Sequence, residues 1–596
     1  MRLSIVSTVS LLVLLAAAAH AQPSAPPSPP AVQETVVVTG TLAPESLGSV
    51  GRTVTVLSSD EWAGLPSGSA ADLLRLVPGV EVRARGPRGV QSDFAVRGAG
   101  FGQALVLVDG IRLNDAQSGH HNGDIPVPLD QIERIEVLLG GGASVHGADA
   151  MGGAINIITR RTGPRLVAAL SAGAFGLVEG SASVGLGRTP ARHLVSGEIS
   201  RSDGFMPERD HAIRIARYQG DVRPDTTVSL AWLDKEFGAN GFYGPAPSRE
   251  WTDQLLAGVR HRATLSERWQ MAADAAFRTH GDRFLYDVTR PALSDNRHRT
   301  YAVDANARWT GTLSRSTRLS AGAGGGRDTI DSDTLGRRAF ARGSLFAELQ
   351  REVGRVMIQP GLRVDHYTRF GTSWSPAAAV SAMLTPHVRW RAAGARTFRV
   401  PTFTELYYTD PNHHASDALE PERAWTADTG LDLFLGQVTV TLTGFARWDT
   451  NVIDWVRTSP AERWQTTNVR RVRTRGLEAA VSGRAGSRGG WSVRYTRLES
   501  RAPELDLLSK YVLDYATHVL SVSGSRTWRA LQAGSRIAWT RRADGRDYCL
   551  VDVRLGRRFG RVEVYADATN LLDTAYQEVG GVDMPGRWLS AGIRVR

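Results

Sequence analysis

Hydrophobic and polar residues alternate in many short runs between residues 162 and 596, and no convincing amphipathic helix interrupts them. The run 588–595 (WLSAGIRV) is one example, and the runs 438–443, 551–556 and 562–567 show the same period of two. Alternation with this period gives a strand one apolar face and one polar face. The region is therefore predicted to consist almost entirely of β-strands.

Alternation alone does not distinguish a soluble sandwich, whose apolar faces form the core, from an outer-membrane barrel, whose apolar face meets lipid. Length favours the barrel, because residues 162–596 contain no domain-like break and accommodate 22 strands at about 20 residues per strand and connection. All but one of the 15 tryptophans lie in this region, as aromatic belts at two membrane interfaces require. The expected fold class is membrane all-β, a 22-stranded antiparallel transmembrane β-barrel.

Residues 50–161 have mixed periodicity, which predicts a compact α+β domain in front of the barrel. Residues 69–77 (SAADLLRLV) have helical apolar spacing and begin with a serine in cap position. Asp109-Gly110 predicts a two-residue hairpin, and the runs 135–138 and 154–159 predict further strands.

The first 33 residues predict two segments without a fold of their own. Arg2 precedes the apolar run 3–19, and Ala19-His20-Ala21 has the small residues of a cleavage site, so residues 1–21 are predicted to be a secretory signal peptide. No later apolar run reaches the 18 residues of a membrane-spanning helix. Residues 22–33, rich in Pro, Ala and Ser, predict an extended linker.

The charge and the cysteine count exclude several classes of function. The net charge of +11 would suit a nucleic-acid partner, but the 71 basic residues are scattered, which argues against one. Compositional bias explains the charge, and an anionic surface such as a lipopolysaccharide leaflet is compatible with it. The single cysteine, Cys549, allows neither an intramolecular disulfide nor a multi-cysteine zinc module.

The Gly-rich segment 140–147 lacks the Lys-Ser/Thr of a phosphate loop, and no catalytic motif predicts an enzyme.

Residues 34–40 (ETVVVTG) form a strongly β-prone run directly after the linker. Such a run is either an ordinary edge strand or a strand that adds itself to the sheet edge of another protein. The residues alone leave both interpretations open.

Five segments in order resemble the plug domain of the TonB-dependent outer-membrane receptors. They are LLRLVPGV (73–80), AVRG (95–98), LVLVDGIRLND (105–115), IERIEVL (132–138) and GADAMGGAINIITRR (147–161). Four barrel segments are also similar to that family: TFRVPTFTELYY (397–408), LEPERAWTADTG (419–430), NLLDTAYQ (570–577) and PGRWLSAGIRV (585–595). The chain departs from the family pattern at Leu139, where an Arg is usual, and at Arg596, where a terminal aromatic residue is common.

The resemblance implies a plug (50–161) that closes the bore of the barrel (162–596) in a bacterial outer membrane. It implies active import of a metal chelate, either cobalamin or a ferric siderophore, with no permanently bound cofactor. It identifies residues 34–40 as the TonB box, through which the TonB complex of the inner membrane grips Glu34, Thr35, Val36, Val37, Val38 and Thr39. Outer-membrane lipid, lipopolysaccharide and the barrel-assembly machinery are further implied partners of a monomer. A passive porin or an adhesive surface barrel is the alternative of another class.

Two histidine pairs raise haem as an alternative ligand, because the family's haem receptors carry a histidine in a similar barrel location. Adjacent histidines in a loop offer two ligands to one iron more readily than a pair in a strand, where they point in opposite directions. No particular metal follows from the sequence. The candidate ligand contacts are His120, His121, His413, His414, Tyr407, Tyr408, Phe242 and Tyr243, and the candidate plug–barrel ion pairs involve Arg97, Glu133, Arg134 and Glu136.

Overall fold

The computed structural model describes residues 35–187, 192–502, 507–511 and 514–596. The predicted signal peptide (1–21), the linker (22–33) and Glu34 lie outside the described residues. Within the described ranges, none of the helices combines the length and the apolar character needed to cross a bilayer.

The N-terminal domain is an α+β plug built on a mixed sheet. It is preceded by a small ribbon in which β1 (Val36–Val37) pairs antiparallel with β2 (Glu45–Ser46). The elements of the domain are β3 (Thr53–Ser58), α1 (Ser59–Trp62), α2 (Ala70–Leu74), β4 (Val80–Ala84), β5 (Ser92–Val96), β6 (Ala104–Val108), β7 (Ile111–Arg112), β8 (Ile132–Leu139), α3 (Ala143–His146) and β9 (Gly153–Thr159). Short 3₁₀ turns occupy Phe101–Gln103, Gly119–Gly123 and Leu129–Gln131.

The plug sheet has the order β3–β8–β9–β6–β7, with β6 and β9 parallel and the other neighbours antiparallel, and β4 pairs with β5 in a separate hairpin. Asp109 and Gly110 both have positive φ angles (51° and 85°), which gives the tight β6–β7 turn expected from the sequence. Helix α2 is shorter than the predicted run 69–77, but the Ser69 hydroxyl caps it by accepting from the Asp72 amide.

The C-terminal part is a closed antiparallel barrel of 22 strands in the part of the chain that the structure describes, as predicted. The strands and two short extra pairings are β10 (Leu166–Gly173), β11 (Leu177–Leu186), β12 (His193–Ser202), β13 (His211–Arg223), β14 (Thr226–Gly238), β15 (Arg249–Thr264), β16 (Trp269–Leu285), β17 (Asp295–Ser314), β18 (Thr317–Ser332), β19 (Arg338–Val353), β20 (Val356–Tyr367), β21 (Gly371–Thr385), β22 (Val388–Arg399), β23 (His413–His414), β24 (Glu422–Leu435), β25 (Val438–Arg457), β26 (Trp464–Arg484), β27 (Gly489–Arg501), β28 (Leu508–Ser509), β29 (Ala516–Trp528), β30 (Leu531–Arg542), β31 (Asp547–Phe559), β32 (Val562–Thr569) and β33 (Trp588–Val595). The two-residue elements β23 and β28 belong to loops, and helix α4 (Phe403–Tyr407) precedes β23.

Closure follows from the pairing of β10 with β33 as well as with β11, which leaves no free edge within the membrane. The apolar face of the strands points outward: Leu589 and Ile593 are 51% and 47% exposed, whereas Ser590 between them is 8% exposed. This is the orientation of a lipid-facing barrel, the reverse of a soluble sandwich.

The two ends of the barrel differ in the length of their connections. At one end adjacent strands are joined by short turns such as 224–225 and 436–437, and at the other by longer loops such as 239–248, 400–421 and 570–587. In outer-membrane barrels the long loops are extracellular and the short turns periplasmic.

Candidate functional site

The predicted TonB-interacting segment is docked against the plug. Val37 is fully buried, and the amides of Val38 and Thr39 donate to Oε2 of Glu136 (2.8 and 3.0 Å). The Thr39 hydroxyl donates to the same oxygen (2.8 Å). One buried carboxylate thus holds three donors of this segment.

Two further side chains complete the contact. Nε2 of His146 donates to the Thr39 carbonyl (2.8 Å), and Nδ2 of Asn156 donates to the Thr39 hydroxyl (3.0 Å). Burial lowers the pKa of His146 to about 4, so its ring is neutral at neutral pH. Together with the β1–β2 pairing, these bonds satisfy backbone groups that a free tethered strand would expose.

Three of the four residues expected in plug–barrel ion pairs pair with one another instead. Arg134 contacts Glu133 (2.8 Å) and Glu136 (2.9 Å), and all three lie on β8. The expectation is wrong for these residues because β8 is flanked by β3 and β9 inside the plug, where Arg134 and Glu136 share one face of the strand.

Arg97 does connect the plug to the barrel. It forms a two-pronged contact with Glu478 of β26 (Nε–Oε1 2.9 Å, Nη2–Oε2 2.7 Å), and both side chains are buried. Its Nη1 donates to the backbone carbonyl of Leu139. Leu139 stands where the family usually has an Arg, and it binds Arg97 through its backbone. No sequence signal indicated two other pairs that fasten the plug, Arg52–Glu348 (2.7 Å) and Arg75–Glu578 (2.6 Å).

His120 lies in an aromatic pocket at the extracellular end of the plug. Its ring stacks on Phe101 with centroids 4.3 Å apart, and the Tyr511 ring lies edge-on to Phe101 at 5.3 Å. Nδ1 of His120 hydrogen-bonds to Asp93 (2.8 Å). Burial lowers the pKa of His120, which keeps the ring neutral at neutral pH.

We call this cavity the plug-apex pocket. Its volume is about 120 Å³, and its lining includes Phe101, His120, Arg399, Trp455 and Tyr511. The first two come from the plug, whereas the others come from barrel strands and a loop. The pocket therefore offers aromatic faces at the junction of plug and barrel, beside an Arg399 guanidinium that is paired with Glu405 and Glu422. Phe101 has a sequence signal, as the one aromatic residue in the Gly-rich stretch 98–103, but the barrel residues had none.

The two rings of the plug histidine pair diverge, contrary to the expectation of shared ligation. His121 is buried on the other side of the 3₁₀ turn, where its ring lies 4.6 Å from that of His280 and its Nε2 is 3.4 Å from Asp282. Burial by itself lowers the pKa of His121, but the Asp282 carboxylate outweighs it and raises the pKa to about 9.

The barrel histidine pair does not share a ligand direction either, because β23 is a short strand whose adjacent side chains alternate. His413 hydrogen-bonds to Asp410 (3.0 Å) and its Nε2 lies 3.1 Å from the Lys510 ammonium, while His414 is exposed. Tyr408 is close to His413, with ring centroids 5.8 Å apart. Tyr407 instead lies under the guanidinium of Arg338 at 4.4 Å.

The aromatic pair in the loop 239–248 is divided between core and pocket. Phe242 is 5% exposed and packs with Phe237 in a buried cluster. It is therefore not available to a ligand, contrary to the expectation from the sequence. Tyr243 is 39% exposed and its ring lies 6.1 Å from that of His120. Of the eight predicted ligand contacts, the structure brings His120 and Tyr243 together beside the plug-apex pocket.

The chain matches two family models in the order that the fold requires. Residues 46–154 match the TonB-dependent receptor plug domain, and residues 203–571 match the TonB dependent receptor-like β-barrel. The second match covers more than half of the chain. The protein therefore belongs to the TonB-dependent receptors, as the sequence resemblance implied.

The chain is also similar to individual proteins and solved structures. The chain is 25% identical over 464 residues to the vitamin B12 transporter BtuB of Vibrio vulnificus, covering 73% of each chain, and 24% identical over 506 residues to that of Photobacterium profundum, covering 79% of this chain and 80% of the other. Its fold is similar to a mutant of the ferric enterobactin receptor PfeA of Pseudomonas aeruginosa (TM-score 0.74, 17% identity) and to the siderophore receptor PirA of Acinetobacter baumannii (TM-score 0.74, 15% identity). Each structural alignment covers 92% of this chain and 98% of the other.

Proposed function

We propose that this receptor imports a metal chelate, cobalamin or a ferric siderophore, in a process energised by TonB. The observation that carries the proposal is the arrangement of the plug, which has the plug-apex pocket on its extracellular side and the docked segment 35–39 on another side. Relatives named as vitamin B12 transporters support the ligand class.

The chemistry of the plug-apex pocket fits a large ligand with flat apolar parts. Phe101, Trp455 and Tyr511 provide aromatic surface, and the guanidinium of Arg399 in the pocket wall is paired with Glu405 and Glu422. A cavity of about 120 Å³ contains only part of such a chelate, so the long loops supply the remaining contacts.

Haem is the weaker ligand hypothesis. A haem receptor needs a histidine nitrogen free to bind iron, yet His413 has one nitrogen beside Asp410 and the other beside Lys510. His120 retains one ring nitrogen for a ligand, since its Nδ1 is engaged by Asp93.

Coupling to TonB requires that the docked segment leave Glu136. A strand added to the sheet of TonB satisfies the same backbone groups that Glu136, β2 and His146 satisfy in the docked state. Glu136 therefore competes with TonB for Val38 and Thr39. After release its charge stays paired, because Arg134 remains within 2.9 Å.

Release of the segment also opens a path. Val38, Thr41 and Leu42 border a cavity of about 480 Å³ between plug and barrel wall, whose lining includes Arg260 and Arg308. Withdrawing residues 35–39 enlarges this cavity toward the periplasm and presents a cationic surface to an acidic chelate.

The remaining parts of the proposal follow from family and sequence. The chain is exported by a signal peptide cleaved after Ala21, is inserted by the barrel-assembly machinery, and works as a monomer surrounded by lipid and lipopolysaccharide. It acts as a transporter and receptor without enzymatic chemistry, and family membership favours this role over a passive porin or an adhesive barrel.

The experiment combines binding and uptake. Purified receptor is titrated with cobalamin, haem and a panel of ferric siderophores, and cells lacking other receptors for each ligand are tested for its uptake. We expect tight binding of one cobalamin or siderophore ligand and uptake that requires TonB. Tight binding of haem alone, lost in His120→Ala/His121→Ala or in His413→Ala/His414→Ala, would replace the proposed ligand. Uptake that persists without TonB would contradict the energised mechanism.

A further inference from the structure

A buried cluster of histidines and carboxylates lies between the plug and the barrel wall, apart from the plug-apex pocket. His121, Glu250 and Asp282 place ligand atoms within 4.8 Å of one another, and His121, Asp124 and His280 do the same on the adjoining side. His121 and Asp124 belong to the plug, whereas Glu250 lies on β15 and the other two on β16. The cluster therefore bridges two domains.

Several polar atoms of this cluster lack a partner. Glu250 Oε2, Asp282 Oδ1 and His280 Nδ1 are buried and form no hydrogen bond within the described residues. The three residues are 2%, 8% and 0% exposed. Leaving a buried polar atom unsatisfied is costly, and a carboxylate oxygen costs most. Three such atoms in one cluster indicate a site suited to a ligand.

The charges around the cluster are balanced only in part. Asp115 is paired with Arg278 (2.5 Å), and Asp124 contacts the ammonium of Lys235 and the imidazole of His280. The other two carboxylates have no such cation: among the described residues, no lysine or arginine nitrogen lies within 4.0 Å of either. Only the imidazole of His121 lies beside these two buried carboxylates, and a bound cation would pair with both of them.

The ligand types and spacing fit a divalent transition metal. In tetrahedral zinc sites, nitrogen and oxygen ligands about 2.0–2.2 Å from the ion lie roughly 3.4 Å from each other. His121 Nε2 and Asp282 Oδ2 are 3.4 Å apart. Gln117 donates to Asp282 Oδ2 (2.7 Å), the kind of outer contact that orients a ligating carboxylate.

We propose that His121, Glu250 and Asp282 bind one divalent metal ion of the Zn²⁺ class. The ion is a resident part of the receptor rather than its cargo, because the donor residues are more than nine-tenths buried. It fastens the 3₁₀ turn Gly119–Gly123 to β15 and β16. The proposal is independent of which chelate the receptor imports.

The test uses the full-length receptor purified in detergent, stripped with a chelator and titrated with zinc chloride. We expect one equivalent of zinc per chain, and a Co²⁺-loaded sample with the absorption bands of a four-coordinate ion. The double variant Glu250→Gln/Asp282→Asn keeps the shapes of both side chains and should bind zinc at least about 100-fold more weakly. Heat-modifiable migration on a gel verifies that its barrel is folded.

The matched control is His413→Ala/His414→Ala, which removes two histidines outside the cluster and should bind zinc like the wild type. Zinc should also raise the unfolding temperature of the wild type and of this control, but not that of the double variant. Absence of zinc binding in the wild type, or equal affinity in the wild type and the double variant, would overturn the proposal.

Discussion

The plug contacts the barrel through Arg97 and the docked segment 35–39 through Glu136. The two contacts differ in which charged groups lose their partner when they separate. On the barrel side, Arg97 is clasped by Glu478, and separating the two leaves opposite charges unpaired in a buried interface. On the side of the docked segment, Val38 and Thr39 donate neutral amides to Glu136, which keeps Arg134 as its partner after they leave. The first contact anchors and the second can be exchanged.

This difference has a mechanical consequence. The amides that leave Glu136 regain partners from water or from an added strand, whereas the guanidinium and carboxylate of the barrel contact would lose theirs. A pull on residues 35–39 should therefore detach the segment before it disturbs the plug–barrel contacts. The segment is the releasable part, and the buried ion pairs hold the plug.

The largest expected effect comes from deleting the docked segment. Deletion of residues 34–39 should abolish uptake while leaving ligand affinity at the plug-apex pocket unchanged, because the two sites share no residue. Uptake and equilibrium binding are measured on the same cells. Undiminished uptake of every ligand that the receptor binds would contradict the role of residues 34–39 as the releasable segment.

On the anchored side, Glu478→Gln should destabilise the plug strongly. Removing one partner of a buried ion pair costs about 3–5 kcal/mol, and Arg97 would keep only its longer contact with the buried Asp428 (3.7 Å). Faster hydrogen exchange of the β4–β5 hairpin and a larger single-channel leak are the readouts. The exposed Glu499, paired with Arg475, provides the control Glu499→Gln, which should behave as wild type. If both variants leaked alike, the ion pair would not be an anchor.

Substitution of one residue in the plug-apex pocket should have a smaller effect. His120→Ala removes a ring stacked on Phe101 and should weaken ligand binding about 2- to 12-fold, which corresponds to one aromatic contact of about 0.5–1.5 kcal/mol. His414→Ala, at an exposed position, is the matched control. Isothermal titration calorimetry measures the ligand affinity of both variants and of the wild type. Equal affinities of His120→Ala and the wild type would show that His120 does not contact the ligand.

The smallest effect concerns pH. Burial lowers the pKa of His146 to about 4 from an ordinary 6.5 and outweighs the bond to the Thr39 carbonyl, which raises it. We expect water to reach the ring once residues 35–39 leave, so that its pKa returns toward 6.5. Docking is then fully stabilised above pH 6.5 and weakens as the pH falls from 6.5 toward 4. The loss is at most about tenfold per pH unit in that window. A spin label at Val36→Cys, in a Cys549→Ser background, should become more mobile between pH 7.5 and 5.5. His146→Gln should flatten this response, and an unchanged slope would refute the role of His146.

Much of the fold could be predicted from the sequence because its signals are local. Alternation with period two and the span 162–596 indicated the 22-stranded barrel, and Asp109-Gly110 indicated the β6–β7 turn. The β-prone character of residues 34–40 also followed from a short-range pattern, three consecutive valines after a Pro-rich linker, and Val36–Val37 form β1.

The contacts that matter for function could not be predicted in the same way. Glu136 lies 97 residues from Thr39, and Glu478 lies 381 residues from Arg97. Barrel register, which no local pattern sets, brings Glu250 and Asp282 to His121. The divergence of His120 and His121 depends on the 3₁₀ turn Gly119–Gly123, and its polar and small residues do not specify its direction.

The most direct test of the account is the affinity of the receptor for the purified periplasmic domain of TonB, compared between wild type and Glu136→Ala. If Glu136 competes for Val38 and Thr39, its removal should tighten binding by about 10- to 150-fold, equivalent to about 1.5–3 kcal/mol for hydrogen bonds to a charged group. Equal or weaker binding by Glu136→Ala, with the plug intact by hydrogen exchange, would contradict the exchange of this segment between plug and TonB.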